Sequence, residues 1–149
     1  MTPATAEWVK KAEGDHTSMM RELRARKSPN HDGTCFHAQQ CVEKYLKACL
    51  QKAGTPIERT HNRALLLDRM LPLQPAWAFL RPQLHALTTF AVDIRYPGKF
   101  ATRSDARDAA ALCRQVRELA RAHLKLGIPA RQAGRSKTAA RRKTHRRRK

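Results

Sequence analysis

Three short stretches of this chain carry side chains that could do chemistry. In HAQQCVEKYLKACL, residues 37–50, Glu43, Lys44 and Lys47 interrupt an otherwise apolar segment. Thr60-His61 stands just before a leucine-rich run, and Arg95-Tyr96-Pro97-Gly98-Lys99 places two cations around a tyrosine. A guanidinium with a nearby ammonium can hold a phosphate or nucleotide, and an imidazole can move a proton. Each stretch also has a plainer structural reading. Arg95 directly follows Ile94, where a cation favours the C-terminal end of a helix. His61 completes a local helix cap begun by Thr60. Glu43 and Lys47 form a solvated pair four residues apart, worth about 0.2–0.5 kcal/mol. There is no glycine-rich phosphate loop, no paired-carboxylate motif and no metal-ligand spacing, so neither a cofactor nor a metal is expected. Cys35, Cys41, Cys49 and Cys113 lack a C-x2-C pair and read as reduced, buried, small apolar residues.

The elements that must position these residues are helices, because apolar residues recur at three- and four-residue intervals and no strand alternation occurs. Thr2-Pro3 opens a first helix with a stripe of Trp8, Ala12, Met19 and Leu23, ending near Lys27. Turn formers at 28–33 and at Gly54-Thr55-Pro56 bracket a second helix. Its apolar arc is wide and its polar strip, Gln40, Glu43, Lys44, Lys47 and Gln51, is narrow. Gln39 falls inside the arc, so its amide needs a partner on another helix or another subunit. Thr60 caps a short helix through Leu67 and Met70. A longer helix aligns Trp77, Leu80, Leu84, Leu87, Ala91 and Ile94, with Pro82 at its true start or a kink. Ser104 and Asp105 cap a last helix with Ala109, Cys113, Val116, Ala120 and Leu124 on one face, closed by Gly127 and Pro129. The expected fold is all-α: an antiparallel four-helix bundle with a short extra helix and a disordered basic C-terminal tail.

Charge divides the chain of 149 residues unevenly. Ten of its thirty-one Lys and Arg lie at 131–149 with no acid; the first 130 residues carry the other twenty-one against all twelve acids, +9 of the +19 total. We expect a domain over residues 1–128 and a tail over 129–149 that is disordered in isolation. In that tail Arg141, Arg142, Lys143, Arg146, Arg147, Arg148 and Lys149 are candidate phosphate contacts with RNA or another nucleic acid. No apolar run is long enough to span a membrane and no leader is visible, so a cytoplasmic protein is expected.

The run from Ala38 to Ala48, AQQCVEKYLKA, followed by Thr60-His61 and then Arg95-Tyr96-Pro97, resembles the prokaryotic HEPN domain family, whose form is A-x-Q-A-x-E-K-x-L-K-A with T-H and R-Y-P downstream. The similarity spans about residues 5–126. It implies an all-helical bundle, usually dimeric, often paired with a small nucleotidyltransferase in RNA-directed defence or toxin–antitoxin systems. On that reading Glu43, Lys44, Lys47, His61, Arg95, Tyr96 and Lys99 are candidate nucleotide or RNA contacts. Tyr96 is also a weak match to the tyrosines that such partners modify.

Many members of the family resemble one another in a further motif, Arg and His separated by four to six intervening residues, which cleaves RNA without a metal: the His moves the 2′-hydroxyl proton and the Arg holds the phosphate charge. This chain has no His in residues 96–110, after Arg95. The spacing occurs as Arg24–His31, Arg26–His31 and Arg117–His123, as often as composition alone predicts. No catalytic residue is therefore assigned. The leading expectation is an interaction module, with a divergent endoribonuclease using Arg95 and a His brought in by the fold as one alternative and a tail-dominated, non-specific nucleic-acid binder as the other. The expected assembly is a homodimer or a hetero-complex with a nucleotidyltransferase.

Overall fold

A computed structural model describes residues 1–57 and 59–127. It contains α1 (Pro3–Arg24), α2 (His31–Lys52), α3 (Arg63–Met70), a 3-10 helix (Pro75–Leu80), α4 (Arg81–Asp93) and α5 (Arg103–His123), with no strand among the described residues. The expected tail at 129–149 lies outside the described residues, and with it every tail contact from Arg141 to Lys149.

Helix α2 is the central element and packs against α1, α5, α3 and α4. Ala38, Cys41, Val42, Tyr45, Leu46, Ala48, Cys49 and Leu50 are fully enclosed. Around them pack Ala12 and Met19 of α1, Leu66, Leu67 and Met70 of α3, Leu84 of α4, and Ala110, Cys113, Val116 and Ala120 of α5. Burial of α2 on nearly every side explains its weak sidedness in the sequence. All four cysteines are free and buried, three on α2 and one on α5. The thiols of Cys41 and Cys113 neighbour each other across the α2–α5 contact.

The helix ends follow local chemistry, with several shifts from expectation. Thr2 caps α1 with Pro3 in the first turn, as expected, but α1 stops at Arg24 because Ala25 turns extended. Asn62, not Thr60, caps α3: its side chain accepts from Leu65 N at 3.2 Å, while Thr60 Oγ1 accepts from Asn62 N at 3.0 Å. Thr102, not Ser104, caps α5, in a capping box where Asp105 Oδ2 accepts from Thr102 N at 2.8 Å. The box wins because it satisfies two orphan amides reciprocally, which Ser104 one turn in cannot do. Pro82 falls in the first turn of α4, after the 3-10 segment that carries Trp77 and Leu80. Helix α5 ends at Leu124 with Lys125 in the left-handed region (φ 55°), so no glycine terminates it.

A groove of about 670 Å³ opens between α4 and α5, lined by Leu87, Phe90, Ala109 and Leu112 with Asp105 and Asp108 at its rim. No described helix is long and apolar enough to cross a membrane.

Candidate functional site around Glu43

One face of α2 stacks Gln39, Glu43 and Lys47 at four-residue intervals, which places them one above another along the helix. All three are buried. The expectation of a solvated Glu43–Lys47 face is therefore wrong: the side chains of Glu43 and Lys47 are only 4% and 8% exposed. Helix α1 lays the Trp8 ring against Lys47, its Nζ 5.3 Å from the ring centroid, and α3 closes the other side. An ammonium desolvated this way is stabilised both by the ring face and by its carboxylate partner.

Glu43 is the hub. Its Oε1 accepts from Lys47 Nζ at 2.8 Å and its Oε2 from Arg63 Nη2 at 3.0 Å. Both oxygens lie 3.2 Å from His61 Nδ1. Arg63 also donates from Nε to the Gln39 carbonyl at 3.3 Å. The Asn62 cap fixes the first turn of α3, so Arg63 takes the helix position that Leu66, Leu67 and Met70 repeat, and it points into the same buried face. The Thr60 turn then leaves His61 on the outside, its ring 78% exposed and its Nδ1 turned to Glu43. His61 thus bonds a carboxylate of another helix and does not complete a local cap, contrary to expectation.

Arg95 lies just beyond α4, with its N–H on the Val92 carbonyl at 3.2 Å, and is exposed. Burial pushes the Arg63 guanidinium below its ordinary value, the Glu43 carboxylate pulls it back up, and the charge of nearby Arg95 lowers it again. The cluster therefore holds Lys47 and Arg63 against one carboxylate, and the excess is positive. Its inner cations are committed to Glu43. His61 forms the side that faces water.

The structure thus brings together Glu43, Lys47 and His61, while Arg95 stands exposed just beyond α4. Tyr96 and Lys99 follow in the exposed turn, joined by Lys99 N to Tyr96 O at 3.3 Å, with Tyr96 65% exposed. Lys44 belongs elsewhere: it pairs with Asp15 of α1, whose other oxygen lies 2.9 Å from His37 Nδ1. Arg63 is the member that sequence reasoning missed. Its signal was an arginine occupying the apolar stripe of RALLLDRM. Gln39 Oε1 is buried and has no hydrogen-bond partner among the described residues.

A separate network joins α1, α2 and α5. Glu13 accepts from Arg117 Nε at 2.8 Å and Nη2 at 2.9 Å, from Arg121 Nη1 at 3.4 Å, and from the Tyr45 hydroxyl. Burial raises the Glu13 carboxyl, but these bonds and the two guanidinium charges outweigh it and hold the group at about 2. Arg117 is thereby committed to a structural ion pair and not to His123, which instead meets Gln74 Nε2 at 3.0 Å and the edge of Trp77. Among the described residues no group of three or more His, Cys, Asp or Glu could hold a metal.

A family model described as HEPN domain matches residues 5–123 of the chain. Neither the curated proteins nor the solved structures contain a match to it.

Proposed function

This chain belongs to the HEPN domain family, which makes it a nucleotide- or RNA-associated module in general terms, and from that premise we propose that it binds a nucleotide or RNA phosphate at the Glu43 cluster as the interaction partner of a small nucleotidyltransferase. One observation carries the reading. Two stretches distant in sequence meet at one buried carboxylate, which commits Lys47 and Arg63 and leaves His61 exposed, with the exposed Arg95 close enough for its charge to act on Arg63. Glu43 organises the cluster, Arg95 holds the phosphate, His61 hydrogen-bonds it through the ring nitrogen that Glu43 leaves free, and Tyr96 and Lys99 supply further contact. The partnership, a homodimeric or hetero-complexed state, and a toxin–antitoxin or defence setting rest on the family resemblance.

The test is titration of labelled ATP and of a short single-stranded RNA into wild type and Arg95→Ala. We expect the variant to bind roughly tenfold more weakly, since a charge-assisted contact is worth about 1.5–3 kcal/mol, with the melting temperature unchanged. Unchanged affinity with lowered stability would make Arg95 only a helix-end cation. A second reading, metal-independent RNA cleavage, draws on the exposed His61 held by Glu43, an imidazole that could move a proton. His61→Ala decides between them: loss of cleavage with binding retained supports catalysis, and absence of cleavage by wild type leaves the binding module.

A further inference from the structure

The charges of α1 and α5 are sorted by side. On α5, Arg103, Arg107, Arg114, Arg117 and Arg121 recur at intervals that keep them on one edge, while Asp105 and Asp108 face the groove against α4. That basic edge is the one turned to α1, as the Glu13 bonds of Arg117 and Arg121 show. On α1, Glu7, Asp15 and Glu22 lie toward the opposite edge, where Asp15 meets Lys44 of α2 and Glu22 accepts from Asn30 N at 3.4 Å. His16 and Arg24 lie on the α5 side. His16 is pushed below its ordinary value by burial and by the charges of Arg117, Arg114 and Arg24, against the opposing pull of Glu13. These cations therefore converge in space as well as on a helical net.

We propose that the edge where α1 meets α5 is a docking ridge for the phosphodiester backbone of a nucleic acid, separate from the Glu43 site. Arg24, Arg103, Arg107 and Arg114 are exposed and have no acidic partner within ion-pair distance among the described residues. From Arg103 to Arg121 the edge runs about 27 Å at 1.5 Å per residue, a length over which one strand of a duplex presents about eight phosphates. The cations are arginines almost without exception, the type that grips phosphate in two-point fashion. Neither α1 nor α5 exposes a large apolar side chain, so the edge offers a bilayer nothing to insert and a protein partner no apolar anchor. The described chain ends at this same edge, where the Gly127 carbonyl accepts from Arg121 Nη2 at 2.6 Å. Asp108 and Glu118 are exposed carboxylates of α5, Glu118 one turn beyond Arg114, and Glu13, in the seam, is neutralised by Arg117.

The experiment uses the full chain and a labelled 20-nucleotide single-stranded RNA, with affinity measured across a salt series. The ridge variant is Arg24→Gln, Arg107→Gln, Arg114→Gln; the control of equal net charge is Lys11→Gln, Arg69→Gln, Arg81→Gln, away from the ridge. We expect the ridge variant to bind roughly tenfold or more weakly and to lose about 2 from the log-log salt slope, about 0.7 per phosphate contact, while the control changes little. Equal losses in both variants, or no loss in either, would overturn the ridge in favour of net charge or the tail alone. Loss of binding to phosphatidylserine-containing vesicles with RNA binding intact would overturn it in favour of a lipid surface. If the triple variant does not fold, Arg114→Gln alone must lower the slope by about 0.7. ATP binding at the Glu43 cluster is read in the same variants and is expected to be unchanged, so that failure of the ridge and failure of the nucleotide site are told apart.

Discussion

Glu43→Ala is expected to lower the stability of the chain by about 3–5 kcal/mol, because removing one partner of a buried ion pair leaves the other uncompensated. Here two cations are left. Arg63 is 3% exposed and Lys47 nearly as enclosed, so neither can recover its hydration without opening the contact between α2 and α3 or lifting Trp8. The nearby charge of Arg95 makes the orphaned Arg63 worse off. The comparison that isolates the cause is the triple change Glu43→Leu, Lys47→Met, Arg63→Met. It removes every buried charge at once and is expected to recover most of the loss, since well-packed apolar replacement of a buried ionic set is often neutral or better. Urea midpoints at pH 7 measure both. A cost below about 1 kcal/mol for Glu43→Ala would show that Lys47 and Arg63 reach water on the timescale of the native state.

Acid should loosen the other network. The Glu13 carboxyl titrates at about 2 in the folded chain against 4.5 in the unfolded one. Between those values the unfolded chain binds a proton that the folded chain does not. The stabilisation is therefore complete above about pH 4.5, falls as pH drops through the window, and is gone below about 2. The full shift would correspond to about 3 kcal/mol, but Glu13 is about one-third exposed and water screens the pair, so about 1–2 kcal/mol is expected. Glu13→Gln should show a correspondingly flatter dependence over the same range, and the difference between the two curves removes the contribution of other carboxylates. Parallel curves would mean that the bonds from Arg117, Arg121 and Tyr45 are exchanged for water at no cost.

The all-helical architecture could be read from the sequence wherever an apolar stripe met one neighbour. Ala12 and Met19, Leu84 and Leu87, and Cys113, Val116 and Ala120 all sit where their spacing placed them. Periodicity failed at Glu43 and Lys47, because a helical wheel assigns polar residues to water and α2 has almost no side that meets water. The caps slipped by two residues at Asn62 and Thr102, since Thr60, Asn62, Thr102 and Ser104 are all competent oxygen acceptors and only the approach of the chain selects between them. The residues Glu43, Lys47 and His61 that meet were named by motif resemblance, while Arg63 was hidden by its leucine neighbours. The basic ridge was invisible to a count of net charge. Its signal is the side on which each charge falls, and that requires knowing which edge of α1 faces α5.

The four enclosed cysteines make the core its own clock. Burial, with Asp105 and Asp32 nearby, pushes the Cys35 thiol up to about 12, and burial does the same to Cys49; Cys41 is raised by the neighbouring Cys113 thiol and by its enclosure. An alkylating reagent needs a thiolate it can reach, and the folded chain presents neither at these sites. Labelling therefore proceeds only through opened forms. Because Cys35 lies near the start of α2, Cys49 near its end, and Cys41 opposite Cys113 at the α5 contact, the order in which the sulfurs react reports which end of the central helix lets go first. Equal rates at all four would mean that the bundle opens as one unit, whereas early reaction at Cys35 would mean that the N-terminal turn of α2 breathes while the rest stays shut.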